Sequence, residues 1–145
     1  PLAHTEPSDK MPLEVISNQA NILLADDNVE LRTLMEAYLK ERGYAVETAN
    51  DGIEAVKLAL QTQPDLILMD MQMPALNGYE AVQQLRAQNF TKPIIALSSS
   101  IIIQDQKYAL KLGCDHYLVK PVLMDDLLTK VQQMLLQQQS TSEGT

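Results

Sequence analysis

Asp65-Leu66-Ile67-Leu68-Met69-Asp70-Met71-Gln72-Met73-Pro74 is the stretch on which the reading of this chain turns. Four apolar residues in succession end on an acid, and a proline follows four positions later. A run this short, with no polar residue at alternate positions, suits a strand buried on both faces, as in the middle of a parallel sheet. Similar runs are Ile22-Leu23-Leu24-Ala25, Ile94-Ile95-Ala96-Leu97 and Tyr117-Leu118-Val119. Tyr44-Ala45-Val46-Glu47-Thr48 is more mixed and suits an edge strand.

Helical periods fill the gaps between these runs. Leu31, Leu34, Met35, Tyr38 and Leu39 fall at i, i+3, i+4, i+7 and i+8, and Gly43 closes that helix. Ile53, Val56 and Leu60 make a second stripe, and Val82 and Leu85 mark a third helix begun near Gly78. A fourth spans about Ile103 to Leu112 before Gly113, and Leu127, Val131, Met134 and Leu135 make a fifth, opened by Asp125 and Asp126. Five β-α units in succession predict an α/β fold, a parallel sheet with helices on both faces. Right-handed crossovers leave few topologies, and the doubly wound, flavodoxin-like (βα)5 order 2-1-3-4-5 puts the mixed second strand at an edge. The turn after the first strand, Asp26-Asp27-Asn28, has no glycine, which disfavours dinucleotide binding.

The bulk properties narrow the function. The 145 residues carry a net charge of -8 with no basic run, so direct nucleic-acid contact by this chain is not expected. One cysteine, Cys114, rules out an intramolecular disulfide framework and points to a reducing, cytoplasmic setting. No apolar run approaches the roughly 20 residues that span a bilayer. Residues 1–20 hold Pro1, Pro7 and Pro12 and read as a linker or leftover segment; residues 139–145 read as a flexible tail.

In open α/β sheets, ligands bind beyond the carboxyl ends of the strands. Strand one ends in Asp26-Asp27, strand three in Asp70, strand four in Ser98 and strand five in Lys120-Pro121. In the order 2-1-3-4-5, three carboxylates therefore converge at the switch point. Such a cluster repels itself unless protons or a cation neutralise it, and all-oxygen ligands favour Mg²⁺. Asp70 can act as a carboxylate nucleophile toward phosphorus, Lys120 can stabilise charge on the transferring oxygens, and the Ser98 hydroxyl can donate to one of them. Each residue has a plainer reading: Asp27 or Asn28 as a helix cap, Asp70 as a turn residue, Ser98 as a cap, Lys120 as a solvated charge.

Taken in order, Ile22 to Asn28, Asp65 to Pro74 with Asn77-Gly78, Pro93 to Ser98, and Tyr117 to Pro121 resemble the receiver domain of two-component response regulators. The likeness covers residues 21–138. It implies that Asp70 is the phosphoacceptor, that Asp26 and Asp27 hold Mg²⁺ with Asp70 and the backbone carbonyl of Gln72, that Ser98 and Tyr117 are switch residues, and that Lys120 is the conserved-type lysine. It also implies a cis peptide at Lys120-Pro121 and a phosphohistidine donor on a histidine kinase or phosphotransfer domain. The surface expected to switch is that of helix four, strand five and helix five, a candidate homodimer face. Residues 69–74 look most like receivers of hybrid sensor histidine kinases. Ser99, Ser100 and Val122 depart from the family's usual residues without removing a reactive group.

Two other functions compete. A reactive site that has fallen silent would leave a protein-interaction module. An aspartyl-phosphate phosphatase would want a second Asp two residues after the nucleophile, where Gln72 stands. His116 and His4 read as structural and tail residues, Cys114 as packed, and Met69, Met71 and Met73 as core and turn packing. Ile101-Ile102-Ile103 is either partly exposed, as an interface, or mostly packed inward.

Overall fold

The computed structural model describes residues 20–144, with side chains as far as residue 138. Its elements alternate as expected: β1 Asn21–Ala25, α1 Val29–Glu41, β2 Ala45–Ala49, α2 Gly52–Thr62, β3 Leu66–Asp70, α3 Gly78–Ala87, β4 Ile94–Ser98, α4 Ile103–Leu112, β5 His116–Val119 and α5 Met124–Gly144. The five strands form one parallel sheet in the order β2-β1-β3-β4-β5.

Successive strand residues point to opposite faces, and each face buries its own core. Leu23, Ala25, Ile67, Met69, Ile94 and Ala96 face Ala55, Val56 and Ala59 of α2, Ala81, Val82 and Leu85 of α3, and Ala109 of α4. Ile22, Leu24, Leu66, Leu68, Ile95 and Leu97 face Met35 and Leu39 of α1 and Leu127, Val131 and Met134 of α5. β3 and β4 are buried along their whole length. Each large aliphatic removed from water there contributes roughly 1.5–3 kcal/mol.

Helix starts follow local chemistry. Asn28 accepts the Leu31 N–H at 3.0 Å, Asp51 accepts the Glu54 N–H at 2.8 Å, and Asn77 and Glu80 form a reciprocal capping box. Gly78 is required by packing rather than conformation: a Cβ there would meet the Asp70 carbonyl oxygen and the Met71 Cα. That close approach brings the start of α3 against the segment leaving β3. Gly113, at φ 127°, ends α4 in a backbone conformation that suits glycine. The Lys120-Pro121 peptide is cis, as the resemblance implied.

Several expectations are corrected. The α2 stripe is rotated: Gly52, Ala55, Val56 and Ala59 are buried, whereas Ile53 is exposed, because α2 packs close through small residues. Leu34 is also exposed, since α1 buries the narrower stripe of Met35 and Leu39. β5 is half-buried throughout, being an edge strand like β2. The backbone of α5 is helical as far as Gly144 and so runs on into the stretch that reads as a tail, extending a helix already packed through Leu127 and Val131. The 1–20 segment, with His4, lies outside the described residues except for Ala20. No described helix is long and apolar enough to cross a membrane.

Candidate functional site

Parallel strands in register bring distant residues to one rim. Ala25 pairs with Met69, so Asp26 and Asp70 come level on neighbouring strands. Asp70 pairs with Leu97 and Ser98 with Val119, which sets Ser98 and Lys120 on the other side of Asp70. The Lys120 N–H donates to the Ser98 carbonyl at 2.8 Å, continuing the ladder one residue past β5.

The Lys120 ammonium donates to Asp26 Oδ2 at 3.1 Å and lies 3.3 Å from Asp70 Oδ2. Asp26 and Asp70 are almost wholly buried, and Lys120 is mostly so. The remaining polar atoms are satisfied locally. Asp26 Oδ1 accepts the Asn28 N–H at 2.9 Å, and Arg32 Nη1 donates to the Asp26 carbonyl at 2.8 Å. Asp70 Oδ1 accepts the Gln72 N–H at 3.0 Å. Asp27 sits exposed at the mouth, and the three aspartates each offer an oxygen within 4.8 Å of the others.

One ammonium against three carboxylates leaves negative charge in excess. Burial raises the Asp70 pKa most; the Gln72 N–H opposes this, the Asp26 charge adds to it, and Lys120 opposes it again, leaving Asp70 at about 7 against an ordinary 3.8. A hard dication matches this donor set: all ligands are oxygens, the cluster carries excess negative charge, and its exposed member leaves room for water. Those are the preferences of Mg²⁺.

Ser98, fully buried, accepts two hydrogen bonds at Oγ: from Gln72 Nε2 at 2.9 Å and from the Ser100 N–H at 3.0 Å. Ser100 in turn donates from its hydroxyl to Asp105 Oδ2 at 2.6 Å, and its carbonyl accepts the Tyr117 hydroxyl at 3.1 Å. Tyr117 packs against the same core as α3 and α4. A hydrogen-bonded path thus runs from the Asp70 loop through Gln72, Ser98 and Ser100 to α4 and β5.

The structure brings together Asp26, Asp27, Asp70 and Lys120, with Ser98 at the end of β4 and Tyr117 on the neighbouring β5. The plainer readings mostly fall away. Asn28, not Asp27, caps α1. Ser98 does not cap α4, whose N-cap is Ile102 without a side-chain bond. Lys120 is paired rather than solvated. Asp70 does hold the turn through Gln72, alongside its place in the cluster. Sequence reasoning missed two contributors, Arg32 and Asp105. The resemblance singled out Gln72 for its backbone carbonyl; that its side-chain amide reaches Ser98 is set by the fold.

The residues set aside behave as structural. Met69, Met71, Met73 and Cys114 are buried, and burial pushes the Cys114 thiol up to about 12. His116 is half-buried at the far end of β5; burial, and then the Lys130 ammonium 3.4 Å away, lower its pKa. The isoleucines do not pack inward: Ile101, Ile102 and Ile103 are 76 %, 55 % and 62 % exposed.

Comparison with known proteins gives a consistent answer. The family model of the response regulator receiver domain matches residues 22–132. The transcriptional regulatory protein PrrA of Mycobacterium leprae is 36 % identical over 124 residues, 86 % of this chain and 53 % of PrrA, so the chain spans about half the length of such curated relatives. Among solved structures, the receiver domain of the Francisella response regulator 1452 superposes with a TM-score of 0.80 at 32 % identity, covering 83 % of this chain and 99 % of that one. The receiver domain of sensor histidine kinase PA1611 from Pseudomonas aeruginosa, solved with magnesium in its active-site cleft, gives 0.75 at 38 % identity, covering 80 % and 97 %.

Proposed function

The chain belongs to the response-regulator receiver family, and from that premise we propose that Asp70 accepts a phosphoryl group from a phosphohistidine. The observation that carries this reading is the Lys120 ammonium set between two buried carboxylates, 3.1 Å from Asp26 and 3.3 Å from Asp70. An Asp70 carboxylate oxygen attacks phosphorus in line, the P–N bond to the donor imidazole breaks, and an acyl phosphate forms on Asp70. Lys120 stands where it can pair with a phosphoryl oxygen once Asp70 is esterified, while Asp26 remains its anchor. Asp26, Asp27 and Asp70, with the Gln72 carbonyl, would hold Mg²⁺, whose charge offsets the cluster and the transferring oxygens.

The acyl phosphate offers a new acceptor to the Ser98 hydroxyl. Ser98 is bonded to Ser100, and Ser100 to Asp105 and Tyr117, so its movement reaches α4 and β5 directly. The α4-β5-α5 face is the proposed output surface, and the exposed Ile101, Ile102 and Ile103 lie at its edge, where a second copy of the chain could dock. The donor, a histidine kinase or phosphotransfer domain, has an open hollow of about 600 Å³ available beside Lys120, lined by Leu31, Leu34, Pro121, Val122 and Met124. The stretch 69–74 and the likeness to the PA1611 receiver favour a hybrid sensor kinase as the setting, and the reducing setting inferred from Cys114 favours the cytoplasm.

A receiver domain is not a turnover enzyme, and Gln72 in place of a second Asp argues against a phosphatase. The test is intact mass after incubation with a small-molecule phosphodonor and Mg²⁺. One phosphate should add, and be lost in EDTA and in Asp70→Asn. Labelling that persists in Asp70→Asn contradicts the assignment; no labelling of the native chain by any donor leaves an interaction module.

A further inference from the structure

We propose that the Gln72 side chain is a latch that holds Ser98 in its resting position and so sets how readily the domain switches. The proposal rests on the phosphoacceptor reading of Asp70 and adds a positioning residue to it. Gln72 belongs to both halves of the site. Its backbone N–H donates to Asp70 Oδ1 at 3.0 Å. Its side-chain amide crosses to the loop after β4, donating to Ser98 Oγ at 2.9 Å and accepting the Ser99 N–H at Oε1 at 3.4 Å. A single planar amide thus fastens the loop after β3 to the loop after β4.

The chemistry of the Ser98 hydroxyl gives this a direction. A hydroxyl has two acceptor lone pairs and one donor hydrogen. Gln72 Nε2 and the Ser100 N–H occupy both lone pairs. The hydrogen remains for an anion, but the oxygen is tethered at a fixed distance from the loop that carries Asp70. For Ser98 to follow a phosphoryl oxygen, the Gln72 bond must stretch or break, whereas the Ser100 bond belongs to the same loop and travels with it. Gln72 therefore opposes the step that Ser98 performs. A hydrogen bond of this kind contributes about 1 kcal/mol net, which is roughly a fivefold bias toward the resting form. Gln72 is exposed, so its substitution leaves the core intact.

The test uses beryllofluoride with Mg²⁺ as a phosphoryl mimic, which removes transfer chemistry from the measurement. Gln72→Met keeps the bulk and loses the amide. It should bind the mimic about fivefold more tightly than the native chain, and the gain should vanish when Ser98→Ala is present in both partners of the comparison. A parallel measurement without any ligand follows amide exchange at Ser99 and Ser100, which should quicken about fivefold in Gln72→Met while β4 is unchanged. Equal or weaker binding of the mimic, a gain that survives in Ser98→Ala, or unchanged exchange overturns the latch. A native chain that does not bind the mimic at all defeats the phosphoacceptor reading and the regulatory role with it, while the ligand-free exchange still judges the tether.

Discussion

Replacing Asp70 by Asn should stabilise the metal-free protein, although it removes the residue on which the proposed function depends. The charged Asp70 carboxylate is buried beside Asp26, and its pKa stands at about 7 rather than 3.8. A raised pKa means that the folded chain holds the proton more tightly than the unfolded chain. Below pH 3.8 both states are protonated and the group is neutral in its effect. Between there and pH 7 the unfolded chain loses its proton first, so folding stability falls as pH rises, and above 7 the whole penalty is present. About three pH units at roughly 1.4 kcal/mol each set a ceiling near 4 kcal/mol. Asn keeps an acceptor for the Gln72 N–H but brings an amide that must itself be buried, at a cost of about 2 kcal/mol. The expected gain is therefore about 2 kcal/mol at pH 8 and near zero at pH 5, which moves a urea midpoint at pH 8 by about 1 M. The assay is urea unfolding in EDTA at both pH values. Saturating Mg²⁺ should then reverse the order by stabilising the native chain selectively. An Asp70→Asn protein less stable than native at pH 8 in EDTA, or one whose gain is the same at pH 5, would refute the argument that this carboxylate is held in an unfavourable charged state.

Lys120→Ala leaves two buried carboxylates without their ammonium, and should cost about 2 kcal/mol in EDTA above pH 7, largely restored by Mg²⁺; a loss that Mg²⁺ does not restore would place the role of Lys120 elsewhere. The same variant should still bind Mg²⁺ but fail to switch, read from Tyr117 resonances on adding beryllofluoride. Leu68→Ala, at the fully buried centre of β3 between β1 and β4, should lower stability by about 3 kcal/mol, measured by denaturant midpoint, with labelling of Asp70 retained well below the melting temperature. Ile102→Glu should leave stability unchanged and abolish any self-association induced by beryllofluoride in sedimentation velocity; monomers in every condition for the native chain would remove the dimer from consideration.

Much of this protein is legible along the chain because burial on two faces leaves a simple imprint. Strands sealed by helices above and below must be apolar without alternation, which is why residues 66–69 and 94–97 announce themselves and their ends stand out as Asp70 and Ser98. Handedness and the edge character of β2 then order the strands, and the order alone assembles Asp26, Asp27, Asp70, Ser98 and Lys120 at one rim. Tertiary packing decided what local pattern could not. Small residues let α2 approach through Ala55 and Ala59, so its apolar Ile53 faces solvent, and no periodicity distinguishes a close-packed stripe from a greasy one. The Lys120 link to Asp26 spans 94 positions, and the Gln72 link to Ser98 spans 26. Such bonds depend on loop paths fixed by the whole sheet. A glutamine two residues past an acid carries no sign of whether its amide meets water, a metal ligand or a serine; the fold supplies the partner, and with it the chemistry.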